Sequence, residues 1–280
     1  MPDSIKLGPR LNCIASLIGH EARLADIGTD HAYLPIVLCE QGKIERAIAI
    51  DIHQGPYESA LAAVKNHKLE AKIDVRWGDG LHPLVLTEID TLSLAGMGGK
   101  TMLEILFARS EILAEVNELI VQPQGLEARV RSSLLEAGWL FKEEHLVEEE
   151  GRVYSIMAFS RKTGYSEQEI LEKEGQWIDQ ILAENQAIKS NKTELTNCYG
   201  CEREIDIIRS LFWRFGPLIL QKPNQLLQRL VKEFTKELTY REEQMRKSTS
   251  SRVQTRRQDT LLQLHVLQCI IHNLSTYHNL

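Results

Sequence analysis

Five residues able to do chemistry fall close together near the start of the chain: Asp26, Gly28, Asp30, His31 and Tyr33, in the string A-D-I-G-T-D-H-A-Y-L-P (25–35). A carboxylate can accept hydrogen bonds from hydroxyls or amines, an imidazole changes charge near neutral pH, and a phenol can stack as well as hydrogen-bond. Glycine lets the main chain approach a ligand with no Cβ in the way. Further on, Asp51 closes the apolar run A-I-A-I (47–50), Asp79 sits in G-D-G (78–80), Ala95, Gly96 and Met97 open A-G-M-G-G, and Gln122 and Pro123 follow L-I-V. Acidic and small residues at the ends of apolar runs suit a nucleotide-like ligand held at the ends of buried strands.

For these groups to converge, the runs must be parallel strands. A leading helix with apolar residues at Leu7, Leu11, Ile14, Ala15 and Ile18 precedes strand one at about 22–27, and the helix after it closes at Gly42. Strand two covers 46–50, a helix 55–67, strand three 73–77, strand four 91–95 with a helix after it, strand five 118–121, and a helix 126–137. Trp139 to Val147 and Val153 to Phe159 then read as two strands separated by E-E-E-G-R with no helix between them, so they must pair as an antiparallel hairpin. Five β-α units closed by a hairpin outline an α/β fold, the class I methyltransferase (Rossmann-like) seven-stranded sheet. A nicotinamide-binding domain would end in a further parallel strand.

Such a sheet binds S-adenosyl-L-methionine, and the polar residues stand where that ligand needs them. Asp51, 25 residues after Asp26, would accept the ribose hydroxyls, with Ile52 beside it; it could also be an ordinary turn aspartate. Asp79 and Gly80 would meet the adenine, Gly28 the methionine tail, and Ala95, Gly96 and Met97 the space around the methyl group, with Asp26 a further cofactor-binding candidate.

Composition is that of a soluble globular protein, with 43% hydrophobic and 26% charged residues. No apolar run is long enough to span a bilayer and the N-terminus has no apolar signal core, so a cytoplasmic protein without membrane contact is expected. Five cysteines at irregular spacing make no disulfide framework. Cys198 and Cys201 form one C-x-x-C without a second pair or a histidine pattern; plain reduced cysteines and no metal are expected, a zinc or redox role being the other option. Residues 1–160 carry 15 Lys and Arg against 24 Asp and Glu, whereas residues 161–280 carry 18 against 15. Arg241, Arg246, Lys247, Arg252, Arg256 and Arg257 cluster in the second part, either as a solvated helical face or as a phosphate-contacting patch.

The strings A-D-I-G-T-D-H-A-Y-L-P, R-W-G-D-G-L (76–81), A-G-M-G-G, L-I-V-Q-P (119–123) and G-R-V-Y (151–154) closely resemble the TrmK family of bacterial tRNA (adenine-22, N1)-methyltransferases. The string F-G-P-L (215–218) is similar to a family segment as well. The resemblance implies a methyltransferase domain over residues 1–160 and a C-terminal α-helical, coiled-coil-like domain over 161–280 that binds tRNA. Apolar stripes from Ile170 to Ile188, Leu226 to Leu238 and Leu261 to Ile271, the first behind a Ser166-x-x-Glu169 capping box, agree with helices there. They would equally suit dimerisation, so monomer and homodimer both stay open.

With adenine N1 as target, Asp30 is the candidate to offset charge or take a proton, His31 an alternative donor or base, and Tyr33 a partner for the flipped base. Asp30 could instead cap the following helix, and His31 could be structural. Gln122 and Pro123 are candidate base contacts and Arg10 a candidate phosphate contact. The N-P-P-[FYW] string of exocyclic-amine methyltransferases is missing after strand four, as is a Pro-Cys nucleophile, which leaves a ring nitrogen. A small-molecule N-methyltransferase on the same fold and a non-catalytic RNA-binding protein are the rival readings.

Overall fold

A computed structural model describes residues 4–189 and 202–276, so Cys198 and Cys201 lie outside the described residues. The chain divides into two compact units, Met1–Glu167 and Gln168–Leu280. In the first, α1 (Pro9–Leu17) leads into β1 (Leu24–Ile27), α2 (Tyr33–Glu40), β2 (Ala47–Asp51), α3 (Gln54–Asn66), β3 (Ile73–Trp77), β4 (Thr91–Met97), α4 (Gly99–Ala108), α5 (Ser110–Glu115), β5 (Glu118–Pro123) and α6 (Glu127–Glu136). The hairpin β6 (Leu140–Glu149) and β7 (Arg152–Ser160) follows.

The strands form one seven-stranded sheet in the order β3-β2-β1-β4-β5-β7-β6. The first five are parallel, while β7 runs antiparallel to both β5 and β6. All residues of β1 and β2 are buried, as central parallel strands covered by helices on both faces must be. The chain order turns back at β1, whose neighbours are β2 and β4, so the strand ends beside it open a crevice. One core cluster, which includes Ile14, Leu38, Ala49, Ile73 and Ile156, joins α1, α2, β2, β3 and the hairpin.

Several features differ from the sequence expectation: β3 is followed directly by β4 with no helix between them, so four rather than five β-α units precede the hairpin. Strand β4 continues past Ala95 through a register irregularity, because Met97 again pairs with β5 at Pro123. Trp139 precedes the hairpin rather than opening it and is fully buried, with the Arg161 guanidinium 3.9 Å from its ring centroid. The sheet also holds the chain beyond residue 160, where Tyr165 bridges back to Phe141.

In the second unit lie α7 (Glu167–Lys189), α8 (Glu202–Phe215), α9 (Gln225–Arg246) and α10 (Ser251–Thr276). The Asn224 side chain caps α9 by accepting from the Leu227 N–H at 2.9 Å. Between α7 and α8, the buried Glu174 accepts from Arg209 Nε at 2.7 Å and from the Trp213 indole at 2.6 Å. Helices α5 and α8 are additions to the sequence expectation. The first is only six residues long, too short for its periodicity to register, but α8 buries Ile207, Ile208, Leu211, Phe212 and Phe215 at a plain helical spacing.

Candidate functional site

A cavity of about 310 Å³ opens at the C-terminal ends of β1, β2, β3 and β4. Of the expected ligand residues, Gly28, Asp51, Ile52, Asp79, Gly80, Ala95, Gly96 and Met97 line it. His53, Thr101 and Ile105 line it too. Those three were not read from the sequence, although Thr101 in G-G-K-T at a helix start was a usable signal.

Local backbone shapes the walls. Gly28 has φ +73°, and a Cβ there would stand 3.0 Å from the Met97 methyl group, so only glycine fits the turn without strain. Its N–H and that of Thr29 both donate to the Ile50 carbonyl, at 2.9 and 3.0 Å. Asp51 is buried, with one carboxylate oxygen accepting from the His53 N–H (2.9 Å) and the other from the Asp30 N–H (3.1 Å). Each oxygen keeps a second lone pair, so Asp51 is oriented and still able to accept from vicinal hydroxyls.

Beside Asp51, the chain turns sharply. Asp30 and Ala32 have φ +56° and +54°, left-handed values that cost non-glycine residues about 1–3 kcal/mol each. The turn leaves the Asp30 and His31 side chains open to solvent, with the carboxylate 3.7 Å from His31 Nε2. The His31 and Tyr33 rings stack at 5.1 Å with 19° between their planes, and Tyr33 is exposed. Helix α2 has Ala32 at its N-cap and no side-chain cap bond, so Asp30 does not cap it.

Four expected contacts take different places. Asp26 does not line the cavity; it is buried in the sheet, where Ser93 Oγ and Thr29 Oγ1 donate to its two oxygens at 2.6 and 2.8 Å. Burial pushes its carboxyl up from the ordinary range, the two hydroxyls pull it down in part, and the Asp51 charge adds to the rise. Arg10, expected to hold phosphate, instead pairs through Nε with Glu149 at 2.9 Å and donates to Gln122 Oε1 at 2.7 Å, with its guanidinium carbon 5.1 Å from the Tyr154 ring centroid. Gln122, expected to meet a base, is fully buried; its oxygen also accepts the Gly96 N–H, and its amide nitrogen donates to the Pro123 carbonyl. Pro123 is buried as well. Arg10 and Gln122 thereby brace the wall at Gly96.

In the basic cluster, Arg241 is paired with Glu237 and Arg257 with Glu242, whereas Arg246, Lys247, Arg252 and Arg256 are exposed. Among the described residues, no group of three or more His, Cys, Asp or Glu could hold a metal ion, and no helix is long and apolar enough to cross a membrane.

A sheet of this order, with a crevice at its turning point and a buried acid closing its second strand, defines the class I methyltransferase fold. Residues 7–157 match the family model described as "Methyltransferase domain", and the chain belongs to that family. It is 37% identical over 155 residues to a Bacillus subtilis protein named tRNA (adenine(22)-N(1))-methyltransferase, the match spanning 55% of this chain and 65% of that relative's length. A Streptococcus pneumoniae structure, described as a candidate tRNA (m1A22) methyltransferase in complex with S-adenosyl-L-methionine, is 27% identical with a TM-score of 0.70. That superposition covers 95% of this chain and 100% of the other. The crystal structure of the Bacillus subtilis m1A22 methyltransferase TrmK shares the fold at 24% identity, with a TM-score of 0.71 over 95% of this chain and 99% of that one.

Proposed function

We propose that this chain transfers a methyl group from S-adenosyl-L-methionine to N1 of the adenine at position 22 of tRNA. One observation carries the reading: the exposed Asp30, His31 and Tyr33 are tied to the cavity through the Asp30 N–H bond to Asp51. A single short turn thereby links the carboxylate suited to a ribose with the groups suited to a purine. The names of the relatives above support the target base and position.

S-adenosyl-L-methionine supplies, when bound, an electrophilic methyl group on a sulfonium. Asp51 would accept from the ribose hydroxyls and Asp79 from the adenine amine, and the glycines at 28 and 96 would leave room for the rest of the ligand. The stacked His31 and Tyr33 rings offer a flat apolar face to an extruded base. Methylation at N1 places positive charge on the purine and acidifies its exocyclic amine, so the Asp30 carboxylate offsets that charge and can accept the proton. Residues 1–160 form the methyltransferase domain in this reading and 161–280 the tRNA-binding domain, with the exposed Arg246, Lys247, Arg252 and Arg256 as candidate phosphate contacts and Arg257, paired with Glu242, set aside. The protein then works in the cytoplasm, where tRNA is.

The test is transfer of radiolabelled methyl to unmodified tRNA, beside a tRNA with adenine-22 replaced. Label is expected on the first only, and label on both would refute the position. Asp30→Asn is expected to lower kcat about 100-fold while S-adenosyl-L-homocysteine binds as to wild type. Methylation of small amines with no RNA labelled would replace the reading by a small-molecule methyltransferase.

A further inference from the structure

Trp77 ends β3, the edge strand of the sheet, and pairs in register with Asp51 at the end of β2. It is 63% exposed, although an indole is costly to leave in water. Its orientation is nonetheless set, because the indole Nε1–H donates to the Ile52 carbonyl at 2.9 Å. Ile52 is itself half exposed and lines the cavity directly after Asp51. Below this bond the Gly78 N–H donates to the Asp51 carbonyl at 3.0 Å, and Gly78 and Asp79 line the same cavity. Two cross-links thus join the loop that carries Asp51 and Ile52 to the loop that carries Asp79. The main-chain link belongs to a glycine turn, since a Cβ at 78 would stand 2.3 Å from Pro83 Cγ, whereas the outer link exists only because position 77 supplies a side-chain donor.

We propose that Trp77 is a positioning residue for the nucleoside end of the cavity: through its bond to Ile52 it holds that apolar side chain as a wall against the purine of the methyl donor. The proposal rests on the reading of the cavity as an S-adenosyl-L-methionine site. Trp77 works on affinity for the donor, and neither the transfer step nor tRNA depends on it.

Trp77→Phe keeps an apolar ring and removes the N–H. Titration calorimetry with S-adenosyl-L-homocysteine is expected to show a Kd raised about threefold to tenfold, the share of one net hydrogen bond. Kinetics with each substrate varied in turn should show the same rise in KM for S-adenosyl-L-methionine, with kcat and the KM for tRNA within about twofold of wild type. Ile52→Ala should lose a similar factor, and the double variant less than the product of the two, since both remove one wall. The Tm should stay at the wild-type value, as the edge indole packs little. Among the four tryptophans Trp139 is buried and Trp177 and Trp213 are half-buried, so intrinsic fluorescence should change on ligand addition in wild type and lose that change in Trp77→Phe. An unaltered Kd in a Trp77→Phe chain of wild-type Tm overturns the proposal and leaves the cofactor reading standing. A loss confined to the KM for tRNA overturns it in favour of an RNA contact. Wild-type protein that fails to bind S-adenosyl-L-homocysteine removes both the proposal and the reading beneath it.

Discussion

Asp26 puts a carboxylate in the middle of a parallel sheet, and its use is mechanical. Ser93, its register partner on β4, and Thr29, in the turn after β1, both donate to it, so one side chain ties two strands to the turn that shapes Gly28. Because burial raises its pKa above the unfolded value, the folded state holds the proton more tightly than the unfolded chain does. Its contribution is therefore fully present below the unfolded pKa of about 4 and is lost as pH rises through the raised folded value, after which the deficit is constant. Asp26→Asn cannot ionise and lacks this dependence. Urea unfolding from about pH 4 to 8 should show wild type losing stability relative to Asp26→Asn as pH rises, then running parallel to it. Parallel curves over the whole range would mean that Asp26 titrates as freely inside as outside.

At the scale of elements, α6 is fastened to the hairpin by charge. Arg131 donates through Nε to Glu144 Oε1 at 2.7 Å and through its terminal nitrogen to Ser155 Oγ at 3.1 Å, with both members of the ion pair almost fully buried. Leaving Glu144 alone in that setting is costly, so Arg131→Met should lower unfolding stability by about 3–5 kcal/mol, and adding Glu144→Met should restore most of it. Denaturant titration of both variants checks this; a double variant as weak as the single one would show that packing rather than stranded charge is responsible. Arg131 also shows where sequence stops being informative. In E-A-R-V-R-S-S-L-L-E helical spacing places it on the face of Leu134 and Leu135, but the acid that pairs with it there lies on a strand that periodicity cannot bring alongside. Gln122 and Arg10 are the same case: their partnership spans 112 residues, so a polar residue after a strand reads as ligand-facing when it is a brace. What could be read was local. Asp51 closing A-I-A-I, the G-D-G after β3 and the helix-free gap before β7 each state their own geometry, and each stands where expected.

Over the whole molecule, charge is partitioned rather than balanced. The net charge is −6, yet the stretch from Arg241 to Arg257 holds six cations against two acids. Its two ends are neutralised, Arg241 by Glu237 and Arg257 by Glu242, which leaves Arg246, Lys247, Arg252 and Arg256 exposed on either side of the turn between α9 and α10. Arg246 and Lys247 suit the C-terminal end of α9, where the helix dipole favours cations. Arg252 lies in the first turn of α10, which has no acid, and there the dipole opposes it; Arg256 stands one turn further on. Helix stability does not account for Arg252 there, and contact with tRNA phosphate is the role proposed above for both. Each contact to a phosphate releases condensed counterions, so tRNA affinity should fall steeply with salt, and every contact removed should lessen the slope of log Kd against log salt by about one. Replacing Arg252 and Arg256 by Gln should therefore flatten that slope by up to about two units and raise the KM for tRNA, with S-adenosyl-L-homocysteine affinity untouched. Arg241→Gln, which removes a charge already offset by Glu237, should change the slope far less. An equal effect from Arg241→Gln would mean that tRNA responds to the net charge of the helical unit and not to the cations around this turn.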